Sequence, residues 1–549
     1  DYAVTGVQTC ALPISRNAPL IFAFTAQTEI TCMSIADERS AAYFALGIAQ
    51  QSGEAVALVC TSGTAVLNFA PAIAEAYYQN LPLLVFTADR PSEMIDQADG
   101  QTLRQSNIFG NYIKASFDLP VETVNDADLD FCDRQVSQAI DTAIMYPQGP
   151  VQINVPLREP IYTALPEKHS NPKIIKTLPA SQFLNAESLK LMQNDWLKYK
   201  RKLVIFGVFP KNECLINLAL LLAHEPDVVV VAENISNIAG ENIITQPESF
   251  FSRINSLGNK EAFKPDLLIT IGHSLICKQL KTYLRGHHPS AHWQIESSMP
   301  YVDTYQSLTT IIPGFATKSI GKMPFGSTQS NYAEIFSAEY QHVLSLHVAF
   351  CKKFQSGAQL LSDMDVVIDL LEQTPSETAL HLANSTSVRW TQLFPARHDL
   401  TYICNRGTSG IDGSTSTAAG YAYASNQKTL FLTGDVSFIY DSNALWNNYI
   451  SNNLKIVVMN NKGGNIFRFI GDKELMKHSL EFFTTPHQVH IKSLVEAFGL
   501  NYLVCDKIVN LSTCINALLN APNATVLEVF TDADANTENY NEYFKTIKL

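Results

Sequence analysis

The stretch Gly434–Gly464 reads GDVSFIYDSNALWNNYISNNLKIVVMNNKGG. It opens at the end of one apolar run, Thr429–Thr433, and closes just beyond a second, Leu454–Met459. Short, continuous apolar runs of this kind are the pattern of parallel strands buried on both faces. The segment between them is long enough for a crossover helix, so the whole predicts a βαβ unit. Asp435 follows the first strand; Asn460, Asn461 and then Gly463-Gly464 follow the second. Ligands of open α/β sheets bind outside the carboxyl ends of the strands. A carboxylate, a side-chain amide and glycine carbonyls are all oxygen donors. They suit a hard divalent cation that keeps coordination positions for phosphate oxygens, as Mg²⁺ does.

The rest of the 549 residues fits a large enzyme rather than a binding module. The length predicts three or four domains, and 46% apolar with 17% charged residues gives ample core. A net charge of −13 with no Lys/Arg-rich block argues against nucleic acid or acidic lipid as the main partner. Ten cysteines without a CxxC pair read as free thiols of a reducing compartment, by default a bacterial cytoplasm. No apolar run approaches the ~20 residues of a membrane span.

Strand-like runs and helical patterns alternate along the chain, which predicts doubly wound parallel sheets. The first α/β region, 15–165, contains Ala55–Cys60, Pro82–Thr87 and Val151–Val155 as strands, with a helix after Asp37. A polar, Pro-containing linker at Thr163–Gln182 leads to a second region, 183–325. Its strands are Leu203–Val208, Val228–Ala232, Leu267–Ile271 and Trp293–Ile295. This region is Rossmann-like, but Gly207-Val208-Phe209-Pro210 stands where a GxGxxG would, so no dinucleotide is expected. A second polar stretch, Met323–Asn331, precedes a helical connector and the third region, 360–549. The first residues are unusual. Val4–Ile14, VTGVQTCALPI, looks like an in-frame translation of a sequencing adapter. Residues 1–14 are therefore read as a non-native segment and left out of the fold reading, and the first domain as truncated at its N-terminus.

A Gly-Asp pair followed by Asn-Asn at this interval resembles the thiamine-diphosphate-binding signature, with Val436 where Gly is usual. Further blocks narrow the likeness: Ser15-Arg16-Asn17-Ala18-Pro19-Leu20, Asp37-Glu38-Arg39, Thr61-Ser62-Gly63-Thr64, Thr87-Ala88-Asp89-Arg90-Pro91, Asn405–Gly413 and Asn460–Phe467. In this order they resemble the 2-succinyl-5-enolpyruvyl-6-hydroxy-3-cyclohexene-1-carboxylate synthase family of menaquinone biosynthesis, from Ser15 onward. The resemblance implies pyrimidine-binding, central transhydrogenase-like and diphosphate-binding domains. It also implies a homodimer or homotetramer with each cofactor held between two subunits.

The implied reaction decarboxylates 2-oxoglutarate and adds the succinyl carbanion to isochorismate in a 1,4-addition. Thiamine diphosphate is the implied cofactor, with Mg²⁺, for which Mn²⁺ can substitute. By the same resemblance Glu38 is the catalytic acid at the cofactor's pyrimidine ring, and Ile411 supports the bend of the cofactor. Ser385, Gly434, Asp435, Ser437, Asn461 and Ile466 join Ile411 in cofactor binding, with Asp435, Asn461 and the Gly463 carbonyl as metal ligands. Arg389 and Arg406 match residues holding the succinyl end, and Arg16, Arg90 and Lys278 match cations facing isochorismate. Guanidinium suits such dianions because its fork binds carboxylates bidentately. Gln101 and Phe467 complete the implied substrate site. Two positions depart from the family: Gly100 precedes Gln101, and Gln279 follows Lys278 where a second cation is common. The alternatives are another thiamine-diphosphate carboligase or decarboxylase, or a non-catalytic truncated homologue. The basic positions and the Asn405–Gly413 block weigh against the first, intact Glu38 and Asp435 against the second.

Overall fold

The computed structural model describes residues 7–10, 15–162, 172–175, 177, 184–272, 275–295, 301–314, 316–322, 328–357, 360–470 and 478–549. Most of the predicted linker at 163–182, and 323–327 of the second, lie outside the described residues. Among the described residues the chain forms three six-stranded sheets, parallel throughout. The first contains β1 (Val7–Cys10), β2 (Thr31–Ser34), β3 (Val56–Cys60), β4 (Leu83–Asp89), β5 (Ser116–Asp118) and β6 (Val151–Pro156), in the order β2-β1-β3-β4-β6-β5. The second contains β7 (Lys202–Phe206), β8 (Val228–Ala232), β9 (Ile243–Ile244), β10 (Leu267–Ile271), β11 (Ala291–Ile295) and β12 (Thr310–Ile312), ordered β12-β11-β10-β7-β8-β9. The third contains β13 (Ala379–Leu382), β14 (Thr401–Ile403), β15 (Thr429–Gly434), β16 (Leu454–Asn460), β17 (Asn501–Cys505) and β18 (Thr525–Phe530), ordered β14-β13-β15-β16-β18-β17.

Numbered from its own first strand, the third sheet repeats the order of the first. The second has the Rossmann order. At its switch point, between β7 and β10, the ring of Phe209 fills the space over Gly272. Long apolar strands such as β3 and β16 are buried at every residue, as their unalternated sequences require. Among the described residues no helix is long and apolar enough to cross a membrane.

Val7–Cys10, within the segment read as non-native, forms β1 and pairs on both sides with β2 and β3. Without it, β2 and β3 would present unpaired edges to each other. One expectation needs correction: the crossover between β15 and β16 is shorter than a full helix. It has one helix, Asp435–Tyr440, and a 3-10 turn, Ser442–Leu445. The break falls at Asp441, whose buried carboxylate turns away to accept from Ser416 N at 2.7 Å and Ser416 Oγ at 2.9 Å. The Glu38–Ser52 helix is enclosed on all sides, with every residue from Ser40 to Ala49 buried. It crosses the third domain's Ser414–Ala424 helix at close range, with Gly47 facing Thr417 and Gly420 facing Phe44.

Candidate active site

Parallel pairing of β15 with β16 sets Gly434 opposite Met459. Asp435 and Asn460-Asn461 therefore leave the sheet side by side. Asp435 is 1% exposed. Its Oδ1 accepts from Val436 N at 2.7 Å, and its Oδ2 accepts from Gly463 N at 2.9 Å and lies 3.1 Å from His487 Nε2. Burial raises this carboxyl above its ordinary range, while the backbone N–H groups and His487 oppose the shift. Asn461 Nδ2 donates to Asp363 Oδ2 at 3.4 Å. Because a carboxylate only accepts, this contact turns the Asn461 Oδ1 away from Asp363. That oxygen is buried and has no partner among the described residues. Asp363 is itself fully buried; desolvation pushes its carboxyl up to about 6, against the hydrogen bond from the Thr531 hydroxyl.

Gly463 has φ +154°, and a Cβ there would lie 2.5 Å from the Thr484 carbonyl oxygen, so the position requires glycine. Asn465 is 3% exposed with neither end of its amide partnered among the described residues. Among those residues no three His, Cys, Asp or Glu side chains gather as a metal site. A cation here would rest on one carboxylate, one amide oxygen and a backbone carbonyl. That donor set fits Mg²⁺ sharing its shell with a diphosphate, and the orphaned Asn461 oxygen is where it would bind.

The Asn405–Gly413 segment runs beside this cradle with no helix or strand of its own. Side chains give it its shape. Asn384 Nδ2 donates to the carbonyls of Asn405 and Gly410, both at 2.7 Å, and its Oδ1 accepts from Arg406 Nη1 at 2.7 Å. Ser437 Oγ donates to the Ile411 carbonyl at 2.7 Å, and Tyr43 Oη to Asp412 Oδ2 at 2.8 Å. Next to Asn384, Ser385 has φ 74° and ψ −124°, a strained conformation for a non-glycine residue. It opens the short Thr386–Thr391 helix that carries Arg389. Ser385, Arg389, Arg406, Ile411, Gly434, Asp435, Ser437, Asn461, Gly463 and Ile466 thus all belong to the third domain's loops and helix starts. Phe467, 37% exposed, packs its ring 5.6 Å from Phe483.

Glu38 lies elsewhere in the chain. It is the first residue of its helix, after Asp37, whose side chain accepts from Ser40 N at 3.0 Å. Desolvation raises the Glu38 carboxyl, and its own backbone N–H partly offsets the rise. A pocket of about 400 Å³ joins it to Thr61–Ala65, Asn68 and Gln101–Leu103. Gly63 and Gln101 meet there with φ of +89° and +57°. All the lining residues are first-domain residues; the metal cradle contributes none.

The five predicted cations fall into three groups. Arg389 and Arg406 accompany the cradle. Arg16 and Arg90 flank Asp89 at the end of β4. Arg16 is 3% exposed and donates to Leu157 O at 2.8 Å and Glu159 Oε1 at 3.1 Å. Lys278 begins the Lys278–Gly286 helix of the central domain, exposed, with its backbone N–H on Glu248 Oε2. The preceding amides, of Ile276 and Cys277, are taken by Glu233. Burial pushes the Glu233 carboxyl up to about 7, and Arg406 and Lys281 pull it back. This end of the central domain therefore faces the Arg406 side of the third.

Sequence reasoning missed Asp363, His487 and Glu75. Asp363 reads as an ordinary first-turn acid, and His487 is 52 residues from its partner Asp435. Glu75 is 332 residues from the glycine amide it accepts. None carries a local signal.

Residues 5–108 match the family described as the N-terminal TPP binding domain of thiamine pyrophosphate enzymes, and residues 384–529 its C-terminal TPP binding domain. The chain is 39% identical over 543 residues to the 2-succinyl-5-enolpyruvyl-6-hydroxy-3-cyclohexene-1-carboxylate synthase of Flavobacterium psychrophilum, covering 97% of this chain and 95% of that one. The synthases of the same name from Flavobacterium johnsoniae and Porphyromonas gingivalis are 37% and 36% identical. Each match covers 97% of this chain, and 95% and 93% of the relative. With both thiamine pyrophosphate domains matched and such relatives along nearly its whole length, the chain belongs to the 2-succinyl-5-enolpyruvyl-6-hydroxy-3-cyclohexene-1-carboxylate synthase family.

Proposed function

We propose that the protein decarboxylates 2-oxoglutarate and joins the resulting succinyl unit to isochorismate by 1,4-addition, releasing CO₂, as a transferase of menaquinone biosynthesis. The observation that carries this reading is the buried Asn461 Oδ1, unpartnered among the described residues, beside Asp435 at the ends of β15 and β16. When bound, thiamine diphosphate supplies the nucleophilic carbon and the electron sink for loss of CO₂. Asp435, Asn461 and the Gly463 carbonyl hold Mg²⁺, for which Mn²⁺ can substitute, and Ser437 and Gly434 face the diphosphate. Ile411 would support the bend of the cofactor, and Ile466 would join it in binding. Glu38, its carboxyl raised by burial, holds a proton at the far nitrogen of the pyrimidine ring. Arg389 and Arg406 hold the carboxylate of the 2-oxo acid; Arg16, Arg90, Gln101 and Lys278 orient isochorismate.

The first-domain pocket around Glu38 contains no residue of the metal cradle. A second copy of the chain completes each site, so the working unit is a homodimer or a pair of homodimers. Eight described cysteines, Cys60, Cys132, Cys214, Cys277, Cys351, Cys404, Cys505 and Cys514, are free thiols, in keeping with a reducing bacterial cytoplasm. The test supplies thiamine diphosphate, Mg²⁺, 2-oxoglutarate and isochorismate, and follows isochorismate loss together with CO₂ release. Turnover that needs all four supports the assignment. Decarboxylation of pyruvate but not of 2-oxoglutarate would transfer it to another 2-oxo acid enzyme of the same fold.

A further inference from the structure

The Asn405–Gly413 segment holds two residues of the proposed site but has no backbone ladder to fix it. Its firmest anchor comes from another domain. Glu75 lies in the Ala70–Gln79 helix of the first domain and is 1% exposed. Its Oε1 accepts from Gly407 N at 2.7 Å and from Gln79 Nε2 at 2.5 Å. Its Oε2 accepts from Thr408 N and Thr408 Oγ1, both at 2.6 Å. Among the described residues no Lys, Arg or His forms an ion pair with it. The buried charge is stabilised by the donors of the loop and by Gln79. The fit is tight, since a Cβ on Gly407 would lie 2.6 Å from the Glu75 carbonyl oxygen.

The clamped peptides directly follow Arg406. One nitrogen of that guanidinium, Nη1, is held on Asn384 Oδ1, and the others have no hydrogen-bond partner among the described residues. The stem of Arg406 is thus fixed from one side by Glu75 through Gly407, and its tip from the other by Asn384, with the rest of the fork open to a carboxylate. We propose that Glu75 is a positioning residue for the 2-oxo acid: it reaches across from the first domain and sets the Arg406 guanidinium at the substrate carboxylate. The proposal rests on the functional reading above. Glutamine cannot replace Glu75, because its NH₂ would face N–H donors on one side or the other.

The experiment measures steady-state kinetics of the holoenzyme for wild type, Glu75→Gln and Thr408→Val, with KM determined separately for 2-oxoglutarate and isochorismate. Loss of a charge-assisted bond should raise the 2-oxoglutarate KM of Glu75→Gln about tenfold or more. The isochorismate KM should stay within about twofold, because its proposed contacts lie outside this loop. Thr408→Val removes only the hydroxyl donor and should shift the same KM in the same direction by about two- to fivefold. It also keeps the test open should Glu75→Gln fail to fold. A lower kcat with both KM values unchanged would mean only fewer folded molecules, and would overturn the positioning role. An equal rise in both KM values would overturn it too. Wild type that turns over these substrates beside unshifted variants refutes Glu75 alone. Wild type inactive on them refutes the functional reading, and this proposal with it.

Discussion

Replacing Gly420 with alanine tests how the proposed catalytic acid, Glu38, is carried to its place. A Cβ at Gly420 would lie 2.7 Å from the carbonyl carbon of Phe44 and 2.9 Å from its Cα. Carbon–carbon contacts are comfortable at about 3.5–4.0 Å, so the two helices would have to part by about 1 Å. No flexible side-chain tip can give way, because the obstacle is backbone. The reciprocal glycine, Gly47, is equally confined, 2.8 Å from Tyr421 N. Overpacking costs typically 1–3 kcal/mol, and this site belongs at the upper end, about 3 kcal/mol. For a domain of this size that lowers the melting temperature by about 6–12 °C. Differential scanning calorimetry of wild type and Gly420→Ala reads the effect directly. Gly258→Ala serves as control, since a Cβ there meets nothing within 4 Å. The helix displaced begins at Glu38, and the helix it is displaced from follows Ile411–Gly413, so activity should fall below what the loss of folded protein explains. A Gly420→Ala protein that melts within about 2 °C of wild type would refute the close crossing and the reasoning built on it.

Glu38→Gln should lower turnover by about 10²–10⁴-fold while calorimetric affinity for thiamine diphosphate changes little; unchanged turnover would remove Glu38 from the chemistry. Glu233, pushed up to about 7 from an ordinary 4.5, contributes stability that is full below about pH 4.5 and is lost as pH rises through about 7. Urea midpoints at pH 5, 6.5 and 8 should therefore fall for wild type and fall less steeply for Glu233→Gln; identical slopes would contradict the assignment. Lys202 and Asp227 form a fully buried ion pair, with Thr328 also donating to Asp227. Lys202→Met should cost about 3–5 kcal/mol by stranding the carboxylate, and the double variant Lys202→Met/Asp227→Asn should recover part of that in chemical denaturation.

Long apolar runs were legible in the sequence: β15 and β16 lie within a residue of the runs that flank Gly434–Gly464, and β8 and β10 match theirs. Besides β1, set aside with residues 1–14, the strands left unread, β5, β9, β12 and β17, sit outermost and are only two to five residues long. Such short edge strands carry little periodic signal. The broken crossover was illegible for another reason: Asp441 ends its helix to cap one 25 residues earlier. Periodicity cannot report a tertiary capping partner. Motif residues were legible as a set, but the polar contacts that aim them were not. Asp363 orients Asn461, and Asn384 holds Arg406 across 22 residues of chain. These contacts exist only once strand order has brought distant loops to the same end of a sheet.

The Glu38 pocket, lined by first-domain residues alone, also bears on inheritance. Under the proposed assembly, in which the acid and the cradle of each site come from different copies, activity would belong to the pair rather than to the polypeptide. Two inactive alleles, one lacking Glu38 and one lacking Asn461, then rescue each other in the same cell. Random pairing at equal expression puts both defects into half the dimers, each with one sound site and one doubly broken one, so about a quarter of all sites survive. By the same counting, a chain with one lesion mixed equally with wild type keeps about half of the sites and a chain with both lesions about a quarter, so the ranking of mutant phenotypes would follow subunit geometry rather than residue importance.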